Sequence, residues 1–178
     1  MKISKIVLAL SLGMTLVTAA HADLKDQGHG TVHFNGSIID APCSIDPESV
    51  DQTIPMGAIS NTALKDGGRS EPVNFKILLT QCDTAQLTDG VTVTFSGSPS
   101  TGNPDLLGIT GSASGASIAL IDGAGSPVVL GTPSVARPLV DGSNELDFAA
   151  FLQGDEGASA AIVPGSFTSV ANFSLSYN

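Results

Sequence analysis

Apolar and polar residues alternate along most of this 178-residue chain. A period of two is typical of β-strands that bury one face, and no segment shows an amphipathic helical stripe over three turns. Clusters of glycine, asparagine, aspartate and proline separate the alternating runs. The pattern predicts an all-β domain, most simply a β-sandwich whose strands start near Val32, Val73, Val91, Ile118 and Leu146.

Charge excludes one class of partner. Lys2 and Lys5 lie within residues 1–22, whereas all 17 acidic residues lie beyond residue 22, so residues 23–178 carry five cations and a net charge of −12 with neutral histidines. So few scattered cations cannot neutralise a row of phosphates. Nucleic acid is therefore not an expected partner, and after the N-terminal segment no apolar run is long enough to span a membrane.

The first 22 residues have the organisation of an export signal. Lys2 and Lys5 form a positive start, residues 6–17 are apolar, and Ala20 and Ala22 supply the small residues that signal peptidase accepts. A membrane anchor would need a longer apolar run followed by stop-transfer charges. The sequence therefore predicts removal of this segment and export of the remaining chain.

Cys43 and Cys82 are the two cysteines of the chain. Outside the cytoplasm, two cysteines most simply form one disulfide, and closing their loop of about 40 residues stabilises a fold by roughly 4 kcal/mol as an upper figure. No metal is expected, because two distant thiols make an incomplete ligand set, as do His29 and His33 beside Asp26. No cofactor is expected either, since no phosphate-binding glycine loop precedes a predicted helix.

The last 13 residues form one long alternating run. As a single strand, residues 166–178 would span roughly 43 Å, more than twice the usual length. Such a strand exposes an aggregation-prone edge unless something pairs with it; a final strand paired inside its own sheet is the ordinary alternative. One face of this run carries Phe167, Ser169, Ala171, Phe173, Leu175 and Tyr177.

The segment after the export signal combines glycines with two large apolar side chains. Gly28, Gly30, Val32 and Phe34 share one face if this segment is extended. Apolar side chains flanked by glycines suit a strand that inserts where backbones pack closely. A frayed tail would have the same composition.

Taken in order, these features resemble the pilins of bacterial chaperone–usher fimbriae, and within them the major rod subunits of the P-pilus type. The resemblance rests on the segment from Gly28 to Gly36, on Asp40-Ala41-Pro42-Cys43-Ser44-Ile45, on the placement of the two cysteines, and on the penultimate Tyr177 with Gly165 fourteenth from the end. It covers nearly all of the chain after residue 22.

This resemblance implies an incomplete immunoglobulin-like β-sandwich that lacks its last strand. A periplasmic chaperone is then expected to lend a strand to the open groove, and the N-terminal extension of the next subunit to replace it at an outer-membrane usher. The implied regions are a signal peptide over 1–22, a donor-strand extension over 23–35 and a pilin domain over 36–178. The exported chain is expected to polymerise with copies of itself into an adhesive fibre on the cell surface.

The resemblance also assigns roles to residues. Gly30 stands at the family's donor-strand glycine, and Val32 and Phe34 are expected to fill pockets of the groove. Gly28 has no side chain for the outermost pocket, so either the register differs or that pocket acts mainly where exchange begins. The acceptor edge, which also binds the chaperone, is expected to comprise Gly165, Phe167, Ser169, Ala171, Phe173, Leu175, Tyr177 and Asn178, with the terminal carboxylate of Asn178 held by basic chaperone groups.

The expected function is a structural pilus subunit, most simply the major rod subunit, and no enzyme is predicted. In residues 111–115 an alanine occupies the nucleophile position of a Gly-x-Ser-x-Gly elbow, and the carboxylates fall in turns. A minor adaptor or terminator pilin is a close variant. The alternative from another class is a monomeric secreted carbohydrate-binding sandwich, for which one tyrosine and no tryptophan leave few exposed aromatic groups.

Overall fold

A computed structural model describes residues 27–156 and 161–178. The predicted signal peptide and residues 23–26 of the predicted donor extension lie outside the described residues. Contacts divide the chain into two units, one that ends at Ile38 and one that runs from Ile39 to Asn178. The second unit contains the secondary structure described below.

Strands dominate the second unit, as the alternating pattern predicts. A one-turn helix follows the first strand, and a short 3₁₀ turn covers Lys65–Gly67. The elements are β1 (Ser44–Ile45), α1 (Pro47–Val50), β2 (Val73–Cys82), β3 (Val91–Gly97), β4 (Leu107–Gly108), β5 (Thr110–Gly111), β6 (Ala116–Asp122), β7 (Pro127–Val128), β8 (Gly142–Gly154), β9 (Phe167–Thr168) and β10 (Ala171–Tyr177).

The strands are arranged in two main layers. The larger sheet has the order β1-β2-β8-β6-β4, with β7 also paired to β6. In the other layer, β3 is antiparallel to β10, from Gly97 opposite Ala171 to Val91 opposite Tyr177. The second edge of β3 bonds to residues 131–137, where the Arg137 N–H donates to the Val91 carbonyl at 2.8 Å. A separate two-stranded pair joins β5 and β9.

The core lies between these layers; β2 and β3 contribute every second residue to it, whereas β6 and β8 are buried over five consecutive residues each. Ile77 and Leu79 from β2 belong to the same core cluster as Val91 and Val93 from β3, and all four are almost inaccessible to solvent. Aromatic rings join the layers: the Phe95 ring lies 5.0 Å from that of Phe148 in an edge-to-face arrangement, a geometry that aromatic pairs favour. The predicted strands beginning near Val73, Val91, Ile118 and Leu146 are therefore present.

The half-buried strand predicted from Val32 is wrong for this structure. Residues 27–40 have no assigned strand, and the side chains of Val32 and Phe34 are 72% and 91% exposed. Alternation shows that a segment can pair and bury one face, but it does not show that the partner lies in the same molecule.

The single strand predicted over residues 166–178 is also wrong. Two shorter strands take its place, because β9 pairs with β5 whereas β10 pairs with β3. Ser169 and Val170 separate them, and Ala171 is exposed rather than part of a continuous half-buried face. The change of partner therefore interrupts the strand that the alternation predicts.

Candidate functional site

The terminal strand β10 has an open edge. Among the described residues it pairs with β3 alone, so the backbone groups of alternate residues point away from the sheet. Phe173, Leu175 and Tyr177 pack against the core but stay half-exposed, whereas Val91 and Val93 opposite them are fully buried. The apolar face of β10 is therefore only partly covered by its own domain.

A groove of about 980 Å³ lies beside this region. Its first wall is the segment 45–57 and its second wall is the segment 165–173. Its floor is formed by side chains of the core: Ile77, Phe95, Leu107, Ile118, Leu120 and Ala150. The groove therefore opens directly onto the hydrophobic core between the two layers.

The start of the first wall is attached to β2. Cys43 and Cys82 form the predicted disulfide, and β1 pairs with the end of β2, placing Ser44 opposite Thr80. The Asp46 N–H donates to the Leu78 carbonyl at 2.9 Å. Covalent and hydrogen bonds thus hold the wall against the edge of the larger sheet.

Two polar side chains extend this attachment beyond β1. The Ser49 hydroxyl accepts a hydrogen bond from the Leu78 N–H, and the Gln52 side-chain nitrogen donates to the Lys76 carbonyl, each at 2.9 Å. Residues 51–60 have no assigned strand. No strand of the described chain therefore pairs with this part of the wall.

The second wall begins at Gly165, where two segments approach closely. The N–H groups of Ser112 and Ala113 donate to the Ser166 carbonyl at 3.0 and 3.1 Å. A Cβ atom on Gly165 would lie 2.5 Å from the Ser112 hydroxyl oxygen and 2.6 Å from the Ala113 nitrogen. Glycine is required here because a side chain would push the wall away from residues 112–113.

The far end of β10 is held by a loop of its own domain. The N–H groups of Thr88, Asp89 and Gly90 donate to the main-chain oxygen of Asn178 at 2.9, 2.9 and 3.2 Å. Burial raises the pKa of the Tyr177 hydroxyl above its ordinary value of 10.0. The three hydrogen bonds to Asn178 hold the end of β10 beside the start of β3.

The structure brings together part of the predicted acceptor edge. Five of its residues line the groove, whereas Leu175, Tyr177 and Asn178 lie outside the lining. The lining members are Gly165, Phe167, Ser169, Ala171 and Phe173.

The predicted donor residues lie in the other unit and are exposed. A Cβ atom added to Gly28 or Gly30 would meet nothing within 4 Å. Nothing within the described chain therefore requires glycine at position 30 on grounds of space.

Sequence reasoning missed the first wall. Ser49, Asp51 and Gln52 lie in a segment without alternation, and a buried serine is not distinguishable from a turn serine by pattern alone. The signal that was available is Cys43: its disulfide partner ends β2, which places the following residues beside that strand.

Two further observations concern other kinds of site. In the ranges 27–156 and 161–178, no cluster of three or more histidine, cysteine or acidic side chains is arranged to hold a metal ion. Within the same ranges, no helix has the length and apolar character needed to cross a membrane.

Comparison with known proteins identifies the family. The model of the fimbrial protein family matches residues 32–178, which is most of the chain. The chain belongs to the fimbrial protein family. A relative from Serratia marcescens, the Fimbria A protein, is 59% identical over 177 residues, covering 99% of each chain.

Solved pilus structures agree with this assignment. A subunit from the structure of a chaperone–usher pilus matches with a TM-score of 0.76 at 36% identity, covering 85% of this chain and 97% of the other. The crystal structure of the P pilus rod subunit PapA matches with a TM-score of 0.70 at 36% identity, covering 78% of this chain and all of the other.

The chain is therefore a structural pilus subunit with an immunoglobulin-like fold that lacks its final strand. The predicted resemblance, fold class and general function are confirmed. As a fimbrial protein, it assembles with other subunits into fibres at the cell surface.

Proposed function

We propose that residues 23–35 of one copy of this chain fill the groove of the next, so that the copies polymerise by donor-strand exchange as the major rod subunit of a chaperone–usher fimbria. The observation that carries this proposal is the open edge of β10 beside a groove that reaches the core. An added strand supplies backbone pairing along the edge, and its alternate side chains supply the fit.

Length and chemistry support this pairing of donor and groove. The second wall spans nine residues, about 30 Å of extended chain, and the part of the donor segment from Gly28 to Gly36 has the same length. Val32 and Phe34 are exposed in their own molecule. Burying each in the groove contributes roughly 1.5–3 kcal/mol before the cost of ordering the segment.

Gly30 supports the same role. Its glycine identity has no steric reason within the described chain, whereas a strand laid between two close backbone walls has little room for a side chain at every position. Gly28 leaves its position on the groove side unfilled. We expect exchange to begin there, because a residue without a side chain meets the least steric resistance on entering the groove.

The same groove needs a temporary occupant before assembly. An uncovered edge next to core side chains is prone to aggregation, so a periplasmic immunoglobulin-like chaperone is the partner we propose for the exported subunit, with transfer to the fibre at an outer-membrane usher. Likeness to the P pilus rod subunit supports the rod position. The role is structural and requires neither catalysis nor a cofactor.

Deletion of residues 23–35 from the exported chain tests the proposal. The truncated subunit keeps its groove, so it should co-purify with the chaperone as the full chain does. It should be absent from purified fibres when expressed beside the intact chain, because it has no strand to donate. Normal incorporation of the truncated subunit would overturn the proposal.

A matched pair of point variants separates the contribution of the Phe34 side chain from that of the length of the donor segment. Phe34→Ser removes the large apolar group from the groove side and should reduce incorporation strongly, whereas Asn35→Ser changes the opposite face and should leave it near the level of the unaltered chain. Equal incorporation of the two variants, measured by mass spectrometry of purified fibres, would contradict the assigned face.

A further inference from the structure

The first wall of the groove carries a fixed negative charge. Of the described residues that line the groove, Asp51 alone has an ionisable side chain, and it is exposed. Its neighbour Gln52 donates to the Lys76 carbonyl at 2.9 Å. This bond holds Asp51 at the level of residues 75–77 of β2.

The described part of the donor segment has complementary chemistry. Residues 27–35 contain no aspartate, glutamate, lysine or arginine, and their titratable side chains are His29 and His33. In an extended strand these histidines lie on the face opposite Val32 and Phe34. When the apolar pair enters the groove, the imidazoles therefore face its rims.

The aromatic side chains of the groove favour one level for His33 along the groove. Phe75, Phe95 and Phe173 all line the groove, and the ring of Phe95 lies 6.3 Å from that of Phe75. Aromatic side chains favour such clusters, so Phe34 is best accommodated beside them. The preceding residue, His33, then lies at the level of residues 75–77, where Asp51 is held.

The neighbours of His29 do not determine its position along the groove in the same way. It lies between Gly28 and Gly30, which bring no side chains that would fix its height in the groove. His33 lies between Val32 and Phe34, and both of these side chains enter the groove in the proposed joint. The geometry therefore favours His33 over His29 as the partner of the wall.

We propose that His33 of the donor segment pairs with Asp51 of the acceptor copy, so that the joint between two copies tightens as the pH falls. The pairing rests on the proposed donor-strand exchange. Histidine is the side chain whose charge ordinarily changes between about pH 5 and pH 8, whereas the exposed carboxylate of Asp51 provides the negative partner.

Other charges near the first wall do not oppose this pairing. Asp46 and Glu48 belong to the same segment and add negative charge around α1, although the Asp46 side chain also accepts the Glu48 N–H at 2.9 Å. The nearby cation is Lys76, whose side chain lies on the opposite face of β2 from Phe75 and Ile77. Its ammonium is paired with Glu145 at 2.9 Å.

Dissociation of assembled fibres in a fixed concentration of denaturant tests the pairing. Fibres of the full exported chain are compared at about pH 7.5 and about pH 5.5, which lie on either side of the ordinary histidine transition. We expect subunit release to be about two- to fivefold slower at the lower pH, the range for an exposed ion pair. His33→Gln and Asp51→Asn should each abolish this ratio, and His29→Gln should retain it.

A charge reversal separates the pairing from general effects of pH on an acidic protein. Fibres that carry both His33→Asp and Asp51→Lys should be as stable as the unaltered fibres at low pH and should lose the pH ratio. An unchanged ratio in Asp51→Asn, or loss of the ratio in His29→Gln alone, would overturn the pairing while leaving donor-strand exchange intact. Failure of the unaltered chain to form fibres would overturn the exchange and the pairing together.

Discussion

The hydroxyl of Ser49 accepts a hydrogen bond of 2.9 Å from the backbone N–H of Leu78. Ser49 is 3% exposed and lies in α1, whereas Leu78 lies in the edge region of β2. A side chain from the first wall thus supplies the acceptor for a backbone donor of the sheet. The helix of one turn is therefore an attachment between the groove and the larger sheet.

Ser49→Ala should weaken this attachment. The substitution leaves the Leu78 N–H without its acceptor in a partly buried position, which typically costs about 1–3 kcal/mol. The free energy of unfolding, measured by denaturant titration with the disulfide intact, should fall by that amount. Ser44→Ala is the matched control, because Ser44 is exposed and bonds the Gln81 side chain at 3.4 Å; an equal loss in both variants would contradict the role of Ser49.

The strands and the groove differ in how far the sequence predicts them. Alternation identified β2 and β3, which bury every second residue, and part of β6 and β8, which each also bury five consecutive residues. It could not reveal that residues 166–178 form two strands, because that break comes from a change of partner. The first wall has no period, and its position depends on the disulfide and on Ser49, which are contacts between segments far apart in the chain.

The disulfide between Cys43 and Cys82 should stabilise the first wall more than the rest of the domain. Replacing both cysteines by serine should lower the free energy of unfolding by up to about 4 kcal/mol, from the closure of a loop of this length. Amide hydrogen exchange in residues 45–57 should rise most, because the link holds the start of this segment to β2.

Reductant provides the control for the disulfide prediction. It should reproduce the increased exchange in the unaltered chain and should change nothing in the double variant. Exchange that rises evenly through the core strands, with no excess in residues 45–57, would show that the disulfide stabilises the fold without a particular effect on the groove.

Gly165→Ala should displace the second wall. The new methyl group would lie 2.5 Å from the Ser112 hydroxyl oxygen and 2.6 Å from the Ala113 nitrogen, so the two segments must separate. Overpacking of this kind costs about 1–3 kcal/mol. Thermal unfolding of the chain in complex with a peptide of residues 23–35 should show the loss, and this peptide should bind more weakly in parallel.

Gly36→Ala is the control for Gly165, since a Cβ atom at Gly36 would meet nothing within 4 Å. It should leave the unfolding temperature of the chain nearly unchanged. If Gly165→Ala also left the unfolding temperature unchanged, the close approach of residue 165 to residues 112–113 would not determine the position of the second wall.

Asp141 should give the domain a pH-dependent contact away from the groove. The Thr84 hydroxyl and N–H donate to its Oδ1 atom at 2.6 and 2.9 Å, and these bonds, the hydroxyl first, lower the pKa of Asp141 below its ordinary value of 3.8. Because the folded-state pKa is lowered, the contact contributes its full stabilisation at pH values above the ordinary pKa of 3.8. The stabilisation is lost as the pH falls through the folded-state pKa.

Thr84→Val tests the cause of this shift, because it removes the hydroxyl donor and keeps the N–H donor. The pKa of Asp141, followed by NMR of the carboxyl carbon, should rise toward 3.8 without reaching it. Thr110→Val is the control, since the Thr110 hydroxyl bonds Thr168 in the β5–β9 pair, and it should leave this titration unchanged. If Asp141 titrates in the same way in all three chains, the hydroxyl of Thr84 does not stabilise the carboxylate. The position of the loop after β2 would then depend on backbone contacts, such as the hydrogen bond that the Asp83 N–H donates to the Pro42 carbonyl at 2.9 Å.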